Sequence, residues 1–158
     1  MSMSVRAVEP ADAAEWLRMR CALWPHGAPA EHETEIRAYF ENSPLTPAAI
    51  VLVSVREGGG LQGFVEVGMR PYADGCSTRP VGYLEGWYVD PDVRRRGVGR
   101  ALVAAAEAWA RAQGCREMAS DTDLENTVSR RAHARLGYAE MEYLVHFRKS
   151  LEREHEGE

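Results

Sequence analysis

The stretch VDPDVRRRGVGRAL, Val89 to Leu102, decides the reading of this chain. Before it, the β-branched and aromatic run VGYLEGWYV at 81–89 reads as a strand bounded by Pro80 and Pro91. After it, Leu102, Val103, Ala106, Trp109 and Ala110 recur at spacings of three and four until Gln113-Gly114 supplies a helix C-cap. A strand therefore passes into a helix through Arg94-x-x-Gly97-x-Gly99. The start of a helix exposes unpaired N–H groups and a partial positive charge, and glycines there let a phosphate approach the backbone closely. Arg94, Arg95, Arg96 and Arg100 can add charge to such a site. The same residues also describe a solvated basic turn with a glycine bend, and the surrounding elements must choose between the two.

Working outward, Val5 to Val8 alternates as a short strand, and Pro10-Ala-Asp opens a helix carrying Ala14, Leu17, Cys21 and Leu23 until Pro25. Residues 29–40 form a second amphipathic helix around Ile36, Tyr39 and Phe40. AIVLVSVR at 49–56 and LQGFVEVGMR at 61–70 flank Gly58, Gly59 and Gly60, which makes a hairpin. Beyond the central helix, REMASDT at 116–122 reads as a strand, Val128 to Leu136 as a helix ended by Gly137, and Tyr143 to Phe147 as a last strand. The charged tail over 152–158 is expected to fray.

The whole chain has 158 residues, 45% of them hydrophobic and 27% charged, which suits one domain over 1–158 and is too short for two. With 19 Lys and Arg against 24 Asp and Glu the net charge is -5, which disfavours nucleic acid or an anionic membrane as partner and leaves room for a cationic one. No apolar run approaches a membrane span and the start lacks a secretory signal, so a cytoplasmic location is expected. Cys21, Cys76 and Cys115 form no CxxC pair, and no His, Asp or Glu cluster has metal-ligand spacing, so no metal site is expected.

The element order and RRRGVG at 94–99 resemble the GNAT superfamily of acetyl-CoA-dependent N-acetyltransferases, with its [QR]-x-x-G-x-[GA] motif, over residues 5–149. The loop is not a Rossmann fingerprint, because the G-x-G-x-x-G spacing is absent. The resemblance implies an α/β (α+β) fold with a mixed, mostly antiparallel sheet, one splayed strand and flanking helices. It also implies that acetyl-CoA is bound by Arg94 to Arg100 (Arg94, Arg95, Arg96, Gly97, Val98, Gly99, Arg100) and by the backbone of Trp87, Tyr88 and Val89. Asn126 resembles the family's cofactor-touching asparagine and is also placed as a helix cap.

A closer resemblance rests on LEGWYV at 84–89, CREMASDT at 115–122, ENTVSRRAH at 125–133 and LGY at 136–138, with LW at 23–24 and EYLVHFRK at 142–149. These are similar to chromosomal-type aminoglycoside 6'-N-acetyltransferases. The resemblance implies a homodimer, acetylation of the 6'-amine of a polycationic aminoglycoside, and resistance to the drug. Convergent carboxylates suit such an acceptor, and Glu85, Asp121, Asp123 and Glu142 supply them, although any one of them taken alone reads as a solvated charge. Trp24 and Tyr72 resemble the family's sugar-contacting aromatics, Trp24 being equally at home in a core.

Attack on a thioester needs a neutral amine, hence a base, with Asp121 first and Glu85 second. A backbone N–H near Val89 is the oxyanion donor. His133 stands where many superfamily members carry a proton-donating tyrosine; it is either that donor or a helix-face residue without chemistry. The competing functions are acetylation of a polyamine or another small amine, and an acetyl-CoA-binding module without catalysis.

Overall fold

The computed structural model describes residues 4–44 and 46–152. Five strands lie in the order β1 (Val5–Ala7), β2 (Ile50–Val55), β3 (Leu61–Arg70), β4 (Val81–Val89) and β5 (Met118–Ser120). The first four are antiparallel neighbours and β5 joins β4 in parallel. Four helices accompany them: α1 (Ala13–Leu23), α2 (Pro29–Phe40), α3 (Val98–Ala112) and α4 (Thr127–Arg135). This is the mixed, mostly antiparallel sheet flanked by helices that the sequence implies.

Strand alternation sends one set of side chains to each face of the sheet. Val51, Val53 and Phe64 join Trp16, Met19 and Ile36 of α1 and α2 in one core, while Leu52, Val65 and Val67 join Leu102, Val103 and Ala106 of α3 in another. In β4 the alternation changes phase. Glu66 pairs with Gly86 and Val67 with Leu84, so Glu85 is the extra residue of a β-bulge. Leu84 before the bulge and Trp87 and Val89 after it all pack toward α3, whereas Tyr88 packs toward α1 and α2.

Two expectations are corrected. The strand expected over 116–122 is only Met118–Ser120, because β4 and β5 diverge after Leu84↔Ser120 and a ladder needs a neighbour within hydrogen-bond reach. Tyr143 to Phe147 is not a strand: the segment pairs with no strand among the described residues, and Tyr143, Leu144, Val145 and Phe147 are each at least 64% exposed. β propensity alone does not make a strand without a partner edge. Residues 153–158 of the tail lie outside the described residues. Among the described residues, no helix is long and apolar enough to cross a membrane.

Candidate active site

The fork between β4 and β5 organises the site. Pairing runs from Gly82↔Met118 to Leu84↔Ser120 and stops, so Glu85 to Val89 of β4 have an edge with no strand beside it among the described residues. Asp90 N–H donates to Gln62 O of the β3 side at 2.8 Å. Strand amides alternate in direction, so the preceding Val89 N–H is aimed into the fork, where an oxyanion donor is expected.

At the end of β4 the chain makes a short 3-10 turn and enters α3. Gly97 is the N-cap with φ 85°, a left-handed conformation that suits glycine, and Arg95 holds φ 65° beside it. This helix start has neither a side-chain cap nor an acidic residue in its first turn. Arg95, Arg96 and Arg100 are exposed around it. Arg94 is turned back instead, its Nε donating to Val89 O at 3.0 Å and its guanidinium lying 5.9 Å from the Tyr88 ring. Gly99 sits on Trp87, whose ring is 3.1 Å from where a Cβ would be. An uncapped, arginine-ringed helix start next to an open strand edge fits the diphosphate and pantetheine of acetyl-CoA. Asn126 is the cap of α4, its Oδ1 accepting from Ser129 N–H at 3.0 Å.

On the acceptor side, the bulge turns Glu85 out of the ladder. Its carboxylate is gripped by Arg70 at the end of β3, with Nη2 donating to Oε2 at 2.9 Å and Nε to Oε1 at 3.3 Å. The Arg70 guanidinium lies 3.4 Å from the Tyr83 ring centre, and Tyr83 OH donates to Asp121 Oδ2 at 2.6 Å. Burial and the Asp121 carboxylate push the Tyr83 hydroxyl up, so it stays a neutral donor. Glu85 and Asp121 are thus brought together through Tyr83 and Arg70. Trp24 is half-buried, its ring 2.6 Å from where a Cβ of Gly86 would stand, which places it beside the bulge. Tyr72 is 64% exposed in the loop after β3. Glu142 and Asp123 are exposed and make no ion pair among the described residues.

Three features escaped the sequence reading. Arg70 and Tyr83 are the partners of the two carboxylates. A buried polar group lies under Trp24: Arg20 Nη1 donates to both oxygens of Glu66 at 2.6 and 2.8 Å, its Nε donates to His32 Nδ1 at 3.3 Å, and it also pairs with Glu35. Burial pushes the Glu66 carboxyl up against the opposing pull of Arg20. His32 stacks on Trp24 and Arg20 lies 4.8 Å from its ring, so the group braces the indole. The visible clue was a glutamate among valines in FVEV, where an apolar residue is the rule. The third feature is Ser120, whose hydroxyl lies 2.8 Å from His133 Nε2, while Nδ1 lies 2.8 Å from Ser129 O. The carbonyl can only accept, so Nδ1 carries a proton and donates to it, and Nε2 is left in hydrogen-bond contact with the Ser120 hydroxyl.

A depression of about 410 Å3 between α1 and α2, lined in part by Leu17, Ile36 and Phe40, contains none of these residues. Among the described residues, no three His, Cys, Asp or Glu side chains are grouped as a metal ion requires.

Comparison with known proteins places this geometry. Residues 12–138 match the acetyltransferase (GNAT) family. The chain is 50% identical over 147 residues to aminoglycoside N(6')-acetyltransferase type 1 of Klebsiella aerogenes, covering 93% of this chain and 96% of that protein. It is 42% identical over 151 residues to the enzyme of the same name from Stenotrophomonas maltophilia, covering 94% of each. Among solved structures, the aminoglycoside 6'-N-acetyltransferase AAC(6')-IG of Acinetobacter haemolyticus superposes with TM-score 0.85 at 34% identity, covering 95% of this chain and 100% of that one. AAC(6')-Iy in complex with the bisubstrate analogue CoA-S-monomethyl-acetylneamine superposes with TM-score 0.84 at 33% identity, covering 95% and 99%. A strand fork, a basic glycine loop at a helix start and these relatives have one explanation: the chain belongs to the GNAT acetyltransferase family.

Proposed function

We propose that this protein transfers an acetyl group from acetyl-CoA to the 6'-amine of aminoglycosides by direct attack, and thereby confers resistance to them. The observation that carries the reading is the pairing of Asp121 with Tyr83 beside the bulged Glu85, at the mouth of the same fork whose other arm ends in the basic loop. Relatives named for this activity at up to 50% identity support it.

When bound, the coenzyme supplies the acetyl thioester. The α3 amides and Arg95, Arg96 and Arg100 hold its diphosphate; the backbone of Trp87, Tyr88 and Val89 lines its arm; and the free amide of Asn126 is in reserve for it, since the cap uses only Oδ1. Asp121 takes a proton from the acceptor ammonium, and the neutral amine so formed would then displace the coenzyme's thiolate from the acetyl group. One of its oxygens accepts from Tyr83 and the other has no partner among the described residues. Both oxygens of Glu85 are engaged by Arg70, which suits a binding group better than a base. Val89 N–H, aimed into the fork, would serve as the donor to the negative charge that develops on the carbonyl oxygen. His133, its Nδ1–H engaged by Ser129 O, lies against the Ser120 hydroxyl and holds it in place.

We also read the protein as a homodimer, with the extended, apolar Tyr143–Phe147 segment pairing with a second copy, and as cytoplasmic, consistent with three free cysteines. Light-scattering mass tests the first. The activity is tested by thiol release from acetyl-CoA with kanamycin-type sugars bearing or lacking a 6'-amine. Turnover only with the 6'-amine is expected; equal rates on both overturn the regiochemistry, and faster turnover of polyamines overturns the acceptor.

A further inference from the structure

We infer that Arg70 is a resident counter-cation of the acceptor cleft, which an incoming ammonium group must displace from Glu85, and that it thereby selects for acceptors of multiple positive charge. This role rests on Glu85 and Asp121 being the acceptor-binding carboxylates proposed above.

Four observations converge on it. Glu85 is the extra residue of the β-bulge, so its side chain is presented beside the fork and not absorbed by a cross-strand pair. Its side chain is only 14% exposed, and Oε1 sits 3.0 Å from where a Cβ of Gly68 would be, so the carboxylate is walled in on that side. The remaining approach is covered by Arg70, which uses two nitrogens on the two oxygens. An acceptor ammonium therefore meets a carboxylate whose charge is already paired and each of whose oxygens already accepts a hydrogen bond.

Arg70 itself is built to leave. It is the last residue of β3, its side chain is 42% exposed, and its tethers among the described residues are Glu85 and the face of Tyr83. It stands between the two expected binding carboxylates, because Tyr83 OH is bonded to Asp121. While it is in place, the Glu85–Asp121 pair carries one net negative charge instead of two.

When the competent state is only a fraction of the population, apparent affinity falls by that fraction. A partly exposed ion pair of this kind lowers affinity by up to about fivefold. That fraction is common to every acceptor that must displace Arg70, so discrimination comes from acceptors that can also be held with Arg70 in place. A sugar with several ammonium groups can bind the other carboxylates before Glu85 is freed, whereas a single ammonium lodged between Asp121 and Glu85 depends wholly on the displacement, so Arg70 penalises it more.

The test measures KM with saturating acetyl-CoA for a kanamycin-type sugar and for methyl 6-amino-6-deoxyglucoside, which carries one ammonium, in the wild type, Arg70→Gln and Arg70→Lys. Arg70→Gln is expected to lower both values, the monoamine's by up to about fivefold and the aminoglycoside's by less, with the KM of acetyl-CoA unchanged. Arg70→Lys, which keeps the charge but loses the two-pronged grip, falls between; if the Gln variant does not fold, a lowered monoamine KM in the Lys variant supports displacement in the same way. Unchanged or raised KM values overturn the inference, a rise meaning that Arg70 orients the site instead of occupying it. Glu85→Gln separates the two levels. A raised aminoglycoside KM in Glu85→Gln, with no gain in the Arg70 variants, overturns the counter-cation alone; an unchanged one removes Glu85 from the acceptor site, and both readings fall.

Discussion

The two arms of the fork offer different means of recognition. The coenzyme arm, from the free edge of β4 to the first turn of α3, presents backbone: an amide at Val89, a left-handed Gly97 and an uncapped helix start. The acceptor arm presents side chains drawn from β3, β4 and the end of β5, and its two carboxylates already have partners, Arg70 on Glu85 and Tyr83 on Asp121. A backbone site needs a local conformation and is written in consecutive residues. A side-chain site needs distant residues to meet, and its occupants can be exchanged without disturbing the fold. Mutations in the two arms should therefore separate cleanly by which substrate they affect.

The largest separation is expected at Asp121. Asp121→Asn keeps the hydrogen bond from Tyr83 and removes the base, so kcat should fall about 10²- to 10⁴-fold while the KM of acetyl-CoA stays within about twofold. A kcat close to that of the wild type assigns the proton to another group or to water.

Next in size is the opposite arm. Gly97→Val forces a β-branched residue into φ 85°, which costs about 1–3 kcal/mol, and puts a side chain where the diphosphate approaches. Calorimetric titration with coenzyme A should show binding weakened by at least about tenfold, and aminoglycoside KM should change little. Wild-type affinity for the coenzyme removes the loop from the site.

A smaller effect is expected at the hinge between strand and loop. Asp90, buried, accepts from Arg18 (2.9 Å) and Arg56 (2.9 Å), which fastens the end of β4 to α1 and β2. Burial alone would raise its carboxyl, but the two guanidinium groups hold it below its ordinary value of 3.8. A depressed carboxyl contributes stability that is complete above its unfolded value and is lost as pH falls through the folded one. Thermal midpoints should thus be flat above about pH 5 and drop below about pH 4. Arg18→Met should cost about 1–2 kcal/mol at neutral pH and blunt the acid dependence. A midpoint indifferent to Arg18 means the clamp contributes nothing net.

The same contrast explains what could be read without coordinates. Arg94 to Gly99 sits between a strand and a helix with unmistakable periodicities, so the loop, its neighbours and the order of the elements were legible within a residue or two. Asp121 and Glu85 were legible as chemistry but not as a pair: what joins them is a bulge in the β3–β4 register and a tyrosine read only as a strand residue. Arg70 was invisible because a cation at a strand end is unremarkable until the bulge turns Glu85 toward it. The Arg20–Glu66–His32 group under Trp24 left one trace, a glutamate among valines. The 143–147 stretch misled for a related reason, since its composition fits a strand but no strand edge pairs with it among the described residues.

That last stretch carries the smallest of the expected effects and the one that tests the comparison hardest. Glu142→Ala should raise the aminoglycoside KM about two- to fivefold, as for one of several exposed charges, and leave the acetyl-CoA KM alone; equal changes in both remove Glu142 from the acceptor arm. Within one chain Glu142 is exposed and makes no ion pair among the described residues, near the point where Met141 lies against Gly75. If a second copy lends it, the defect must be complementable. In a mixture of Asp121→Asn and Glu142→Ala chains, the active sites of mixed dimers are those that keep Asp121, and they belong to the Glu142→Ala chain. Their aminoglycoside KM returns to the wild-type value when Glu142 comes from the partner, and keeps the defect of the single variant when Glu142 acts within its own chain. The acceptor arm would then be a property of two chains, while the coenzyme arm is complete in one.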